Sequence, residues 1–224
     1  MRMNRRGISL VEVLVIIAIV AILAAIIYPM YVKAKQASQK SACINNLRQI
    51  SGAFQMYMLD YDDRWPLGVD PADKFTPQIW DRFPEFRARL VTLPLMHELM
   101  TPYLPSLAVW KCPADKGQDV DDTSFELLPA SPSSYEMYGS SYYYRTELTL
   151  RSLMGTSLKD PASVNVYFDG SGAWHTGLDI LRRRDGLREL REKLRQYRYN
   201  VLFADMHVKN ISRAQYDEAW DQEL

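Results

Sequence analysis

Apolar positions are distributed along this chain in three ways, and each predicts a different element. From Val13 to Val32 they are almost continuous and no residue is charged. About 20 apolar residues are what an α-helix needs to cross a bilayer. Beyond that run, Cys43, Leu47, Ile50, Phe54, Tyr57 and Tyr61 recur at 4-3-4-3-4 spacing, while Lys40, Asn46, Arg48 and Gln49 take other faces. This is the pattern of an amphipathic helix with one face for a core. Together the two patterns predict one helix reaching to about Asp60, roughly 80 Å long at 1.5 Å per residue. Pro66 and Gly68 in "DYDDRWPLG" stop it. Pro29 removes one backbone hydrogen bond and predicts a kink or local melting between the halves. Gly52 is a weaker flex point.

The third pattern is a set of short β-branched and aromatic runs bounded by turn residues: "SYYYR" (141–145), "VNVYFDG" (164–170) and "YNVLFADMHVKNIS" (199–212). These predict strands. The last is either a hairpin turning near Asp205 and Met206 or one long bulged strand. "RAQYDEAWDQEL" predicts a closing helix with Ser212 as N-cap. "RFPEFRARLVTLPLMHELM" predicts a helix interrupted by Pro84 and Pro94, and residues 113–139, polar and rich in serine and proline, a long surface loop. The fold class expected is α+β: a long N-terminal helical stem packed on a small antiparallel-sheet head.

Composition narrows the picture modestly. The 224 residues carry 27 basic and 27 acidic side chains, so a global affinity for polyanions gains no support. Fourteen tyrosines suit a packed head. No internal repeat, Walker loop, nucleophile elbow or Cys-x-x-Cys pair is present.

The N-terminal run needs an explanation of its own, because it carries Glu12. An ionised carboxylate costs a few kcal/mol at the centre of a membrane helix on insertion scales and calls for a partner. An ordinary secretory signal has a shorter apolar core followed by a small-x-small cleavage site, and neither fits here. A plain anchor, with Arg2, Arg5 and Arg6 before it and Lys33, Lys35 and Lys40 after it, leaves Glu12 without a purpose. A cut between Gly7 and Ile8 supplies one. Ile8 then bears a new α-amino group, and Glu12 on one subunit can meet the amino terminus of a neighbour. Such a buried pair adds little net stability, but a partner left alone is costly, so the pair enforces register.

"RRGISLVE" resembles the class III signal of type IV pilins and type II secretion pseudopilins: a short basic leader, a glycine before the cut, an apolar residue after it, and a glutamate fifth in the mature chain. The resemblance extends over residues 1–60. It implies that a prepilin peptidase cuts after Gly7 and methylates the terminus of Ile8, that Glu12 is the assembly glutamate, and that Pro29 is the helix-kinking proline many of these proteins carry. Ile8 stands where phenylalanine is commonest, and Ser9 where threonine is usual. The expected division is then a leader over 1–7, a transmembrane and filament-core half-helix over 8–32, an amphipathic half-helix over 33–62 and a globular head over 63–224. The blocks "CINNLRQISGAFQMYMLDYDDRWP", "PYLPSLAVWKCPADK" and "YNVLFADMHVKNI" also resemble those of a subgroup of prepilin-type proteins from environmental bacteria. There Met206 replaces the usual glycine, at a place where the turn would need positive φ.

The function this implies is a structural subunit, not an enzyme, with no cofactor. Its expected partners are copies of itself in a helical filament, the prepilin peptidase, an inner-membrane assembly platform, and membrane lipid before assembly. The precursor would be a single-pass, N-in protein of the cytoplasmic membrane, and the product a periplasmic or cell-surface filament. Two alternatives have their own residues. A DNA-uptake pilin would use the basic segment 182–198, where eight basic residues surround the apolar stripe Leu187, Leu190, Leu194 and Tyr197. The bland reading is a docked helix with a solvated face. A membrane-anchored periplasmic enzyme would need Asp169, His175, Asp205 and His207 to converge. Asp205 and His207, two apart on a regular strand, would share a face. Calcium is the alternative to plain solvation for Asp60, Asp62 and Asp63. No metal ligand is assigned on these grounds.

Cys43 and Cys112 are expected to form a disulfide. Cys43 lies on the helix face that meets the head, and Cys112 follows apolar residues expected to pack there, on the extracytoplasmic side where thiols oxidise. Closing a loop of about 70 residues would contribute roughly 4 kcal/mol in the chain-entropy model. The alternative is a pair of buried free thiols.

Overall fold

Helix α1 runs from Leu10 to Asp60 in the computed structural model, which describes residues 10–154 and 158–224. The chain divides into two compact units, Met1–Ser38 and Gln39–Leu224. In the first, every residue from 10 to 31 is exposed. The backbone is helical at Pro29 and on both sides of it, so the missing N–H does not melt the helix.

In the second unit the periodic face of α1 is buried: Cys43, Leu47, Ile50, Ala53, Phe54 and Tyr57 all lie in the core. Tyr61, expected on that face, is instead 51% exposed and stacks on Tyr57 with ring centroids 4.2 Å apart. The helix ends one residue before it. Asp62 and Asp63 take left-handed φ values of 54° and 57°, and the Asp63 N–H returns to the Met58 carbonyl at 2.9 Å. Aspartate tolerates that conformation better than most residues. The helix has therefore turned off before Pro66 is reached.

Four antiparallel strands form the main sheet in the order β3–β4–β5–β6: Tyr142–Tyr144, Asn165–Asp169, Arg198–Phe203 and Val208–Ser212. The register places Tyr144 opposite Tyr167 and Phe168 opposite Val201. Every residue of β3 and β4 is buried, because both faces are covered. On one face Phe54 of α1 meets Tyr144 and Tyr167, with ring centroids 5.9 Å apart in each case. On the other, Phe168 and Tyr199 pack against Tyr216 of α8 (Arg213–Trp220). Ser212 caps α8 in a capping box with Gln215. At its far end the buried Arg145 guanidinium donates to the carbonyls of Ala219 and Trp220 at 3.0 and 2.8 Å, satisfying groups a helix terminus leaves open.

Three expectations need correction. Residues 82–100 form two helices, α3 (Pro84–Leu90) and α4 (Met96–Met100), and Pro84 begins the first of them. Proline's missing N–H costs nothing in the first turn of a helix. Residues 113–139 are not a plain surface loop: β1 (Gln118–Val120) pairs with β2 (Leu127–Ala130), and α5 spans Ser134–Tyr138. Several of their polar groups are hydrogen-bonded inside the unit. Asp115 alone accepts from the backbone N–H groups of Ser134 and Tyr135, both at 3.0 Å, and from the Ser141 hydroxyl at 2.6 Å. Finally, of the two readings of residues 199–212 the hairpin turning near Asp205 and Met206 is the one found, so Asp205 and His207 lie in its turn and not on a regular strand where they would share a face. Met206 there takes φ 72°, so the turn keeps the conformation glycine would favour without the glycine. The remaining short helices, α2 (Pro71–Phe75), α6 (Glu147–Met154) and α7 (Leu187–Gln196), lie between these elements in the chain.

Candidate functional site

Helix α1 is long and apolar enough to cross a membrane, and none of its most apolar window is buried within the structure. Side chains that a soluble domain would hide, Ile22 and Tyr28 among them, are 62% and 70% exposed. Glu12 stands in the first turn of α1, where a carboxylate suits the helix dipole. Gly7 and Ile8 lie outside the described residues.

Within the second unit, α1 is bound covalently to the segment before the sheet. Cys43 and Cys112 form a disulfide with Cα atoms 5.2 Å apart at a sequence separation of 69. Side chains of α1 reinforce it: Asn46 Nδ2 donates to the Lys111 carbonyl at 2.9 Å and to Tyr142 Oη at 3.0 Å, and Gln39 Nε2 to the Pro113 carbonyl at 2.6 Å. The Cys112 N–H is taken by Ser141 Oγ at 3.0 Å. The covalent link is thus embedded in a set of directional contacts that fix the same register.

The four residues considered for acid–base or metal chemistry do not converge. They separate into two pairs. Asp205 and His207 sit exposed in the hairpin turn, where His207 Nδ1 contacts Asp205 Oδ1 and the ring stacks on Phe203. Asp169, at the end of β4, and His175, just after it, are buried beside the disulfide. His175 Nε2 lies 3.3 Å from Asp169 Oδ2 and 3.5 Å from Cys112 Sγ. Among the described residues, Cys43, Cys112 and His175 are the group whose ligand atoms come within 4.8 Å of one another.

Asp60, Asp62 and Asp63 serve the end of α1: Asp60 accepts from Tyr103 Oη at 2.9 Å, and the other two form the left-handed turn. In α7 the basic face is solvated. Leu190 and Leu194 pack on the core and Tyr197 is fully buried, but Leu187, expected on the same stripe, is exposed. Leu187 is the first residue of α7 and leads into it from the coil. Lys193 pairs with Asp185 at 2.7 Å and with Glu189 at 3.0 Å, so part of the basic charge is neutralised within the segment.

Several buried carboxylates had no signal in the sequence, where "VDPADK" and "DVDDTS" look like solvated turns. Asp70, Asp73 and Asp121 line a cavity of about 280 Å³ with Trp80, Phe83 and Trp220 on its walls. Burial pushes the Asp73 carboxyl up to about 7, aided by the charge of Glu147. Asp122 accepts from the Gly172 N–H at 2.9 Å, Tyr199 Oη at 3.0 Å and Ser171 Oγ at 3.1 Å. Burial raises it to about 7 even so. A Cβ on Gly172 would lie 2.6 Å from the Tyr199 ring, so only glycine lets the backbone approach this carboxylate. The N-cap spacing Asp70–Asp73 is the one cue that the first of these groups turns inward.

No curated protein and no solved structure matches the chain. The family comparison concerns its N-terminus, where residues 2–28 match the model of the prokaryotic N-terminal methylation motif. The match spans the basic residues, Gly7, Glu12 and most of the exposed apolar run. The chain therefore carries the prepilin-type signal of type IV pilins and pseudopilins at the head of a long apolar helix.

Proposed function

We propose that this protein is a structural subunit, a pilin or pseudopilin, inserted in the membrane as a precursor and built into a helical filament after its leader is removed. The observation that carries the reading is the continuous exposure of residues 10–31, nearly all apolar, most of which lie within the methylation motif. A helix apolar all round is suited to lipid and, once extracted, to the packed axis of a filament. In this reading the prepilin peptidase cuts between Gly7 and Ile8, Glu12 pairs with the amino terminus of a neighbouring copy, and an inner-membrane platform adds subunits. Pro29 lets the membrane half of the helix adjust as it leaves the bilayer. The buried second half of α1 and the sheet supply the surface-exposed body, with no catalytic role. Removal of the leader takes away Arg2, Arg5 and Arg6, leaving 24 basic against 27 acidic residues and a mildly acidic subunit. Mass spectrometry of membrane and sheared-surface fractions tests this. The expected chain begins at methylated Ile8; a protein beginning at Met1, or cut beyond Tyr28, overturns the proposal.

A further inference from the structure

The disulfide has an imidazole beside it that the bridge does not use. His175 has a side chain only 1% exposed, yet its Nδ1 makes no hydrogen bond among the described residues. Its Nε2 faces the space between Cys112 Sγ, at 3.5 Å, and Asp169 Oδ2, at 3.3 Å. Asp169 is equally buried. Its Oδ2 accepts from the Asn200 N–H at 2.8 Å, and its Oδ1 has no hydrogen-bond partner among the described residues. Buried polar atoms are almost always satisfied, and each exception calls for a reason. Here the two exceptions belong to neighbouring residues of ligating chemistry, whose other atoms, His175 Nε2 and Asp169 Oδ2, face each other, with both cysteine sulfurs within 4.8 Å of the imidazole.

Two sulfurs, one imidazole nitrogen and one carboxylate oxygen are the donor types that bind zinc in tetrahedral sites. The paired sulfurs select against calcium and magnesium, which take oxygen ligands. The elements that present these donors are fixed independently of the bridge. Cys43 stands on the buried face of α1, Cys112 is held through its N–H by Ser141, and Asp169 is on a central strand. The sulfurs need only part to about 3.8 Å, the separation of two thiolates each 2.3 Å from a tetrahedral zinc ion.

We propose that Cys43, Cys112 and His175, completed by Asp169, form a zinc site in the dithiol form of the protein, mutually exclusive with the disulfide. A phosphine reductant converts the bridge to two thiols, itself becoming the phosphine oxide with oxygen taken from water. Zinc then displaces one proton from each thiol and binds the two thiolates, His175 Nε2 and the Asp169 carboxylate. The metal thereby takes over the crosslink between α1 and the segment at Cys112. A chain folding before its cysteines are oxidised would be held in the same register by the ion as by the bridge. Because the site is buried, the ion enters as the chain folds, and its binding free energy is folding free energy.

The test uses the full mature chain in detergent, unfolded in guanidinium with a water-soluble phosphine and refolded anaerobically with zinc or cobalt(II). One cobalt per chain is expected, with a thiolate-to-cobalt charge-transfer band and the visible bands of a tetrahedral ion. Zinc should displace it. His175→Ala should weaken binding at least tenfold, while His207→Ala, in the exposed turn, should leave it unchanged. The oxidised chain should give no thiolate band. The proposal is overturned by cobalt spectra without thiolate bands, by equal affinity in His175→Ala, or by equal uptake in the oxidised protein.

Discussion

The two halves of α1 are one continuous helix and obey opposite rules. Between residues 10 and 31 Ile, Leu and Val point outward all round and none is buried by this chain. Between Cys43 and Tyr57 the apolar side chains keep to one face, and that face is covered by the sheet. An apolar side chain is stabilised by leaving water, at about 25 cal/mol per Å². The second half meets this requirement internally. The first half finds no such cover within this chain and is long and apolar enough to cross a membrane. One helix thus contains both a half that packs within the fold and a half the fold leaves bare, and the periodicity of its apolar residues marks where one gives way to the other.

The largest effect that could break this comparison is expected from Glu12→Ala. It removes a carboxylate the bilayer disfavours, so processing and insertion should persist. Filament yield, measured by electron microscopy of sheared cell surfaces in the absence of wild type, should fall by more than tenfold. Normal yield would remove Glu12 from any role in assembly.

Stability should separate the halves next. Phe54→Ala deletes a ring buried against Tyr144 and Tyr167 and should cost about 4 kcal/mol, as large-to-small core changes do. Ile19→Ala, in the exposed half, should leave the unfolding of the second unit unchanged. Denaturant titration in detergent, followed by tyrosine and tryptophan fluorescence, compares them; equal losses would show that the halves fold as one.

A pH titration sharpens the comparison from the side of the second unit. Asp122 is raised from the ordinary 3.8 to about 7 by burial, against hydrogen bonds that favour its ionised form. A native state that holds its proton more tightly than the unfolded chain loses stability as pH rises between those two values. Thermal stability should therefore decline from pH 4 to pH 7, and the decline should be shallower in Asp122→Asn. An unchanged slope would mean that another group, Asp73 first, carries the dependence. The smallest change is Ser212→Ala. It removes the cap of α8 and should cost about 1 kcal/mol, with no effect on filament formation if assembly rests on the exposed half. Loss of filaments there would place an assembly contact at α8.

Much of this architecture was legible in the amino-acid sequence because it rests on local or periodic signals. The end of α1 at Asp60, the strands at 142–144 and 165–169, and the Ser212 cap each follow from spacing, β-branched and aromatic content or a capping residue. The prepilin signal was legible for the same reason: its residues are contiguous, and their order carries the information. The misread segments are those where polarity mimics solvent exposure. Residues 113–139 looked like a loop because aspartates and serines that hydrogen-bond inside a fold are, as letters, indistinguishable from those that face water. Met206 took its turn against the preference of its own side chain, held there by the pairing of β5 with β6.

Alone, the sequence determined that one helix would carry an exposed apolar half and a packed half, since hydrophobic periodicity is a one-dimensional property that survives without knowledge of what covers it. Only the tertiary structure decided which chemistry-bearing residues share a site. His175, with Asp169 against it, is drawn to Cys43 and Cys112, which stand far from it in the chain, whereas Asp205 and His207, only two residues apart, are turned out to solvent. The reason is that burial and proximity are set by the pairing of β4 within the sheet and its packing on α1, and those long-range contacts leave no mark on the residues that lie between them.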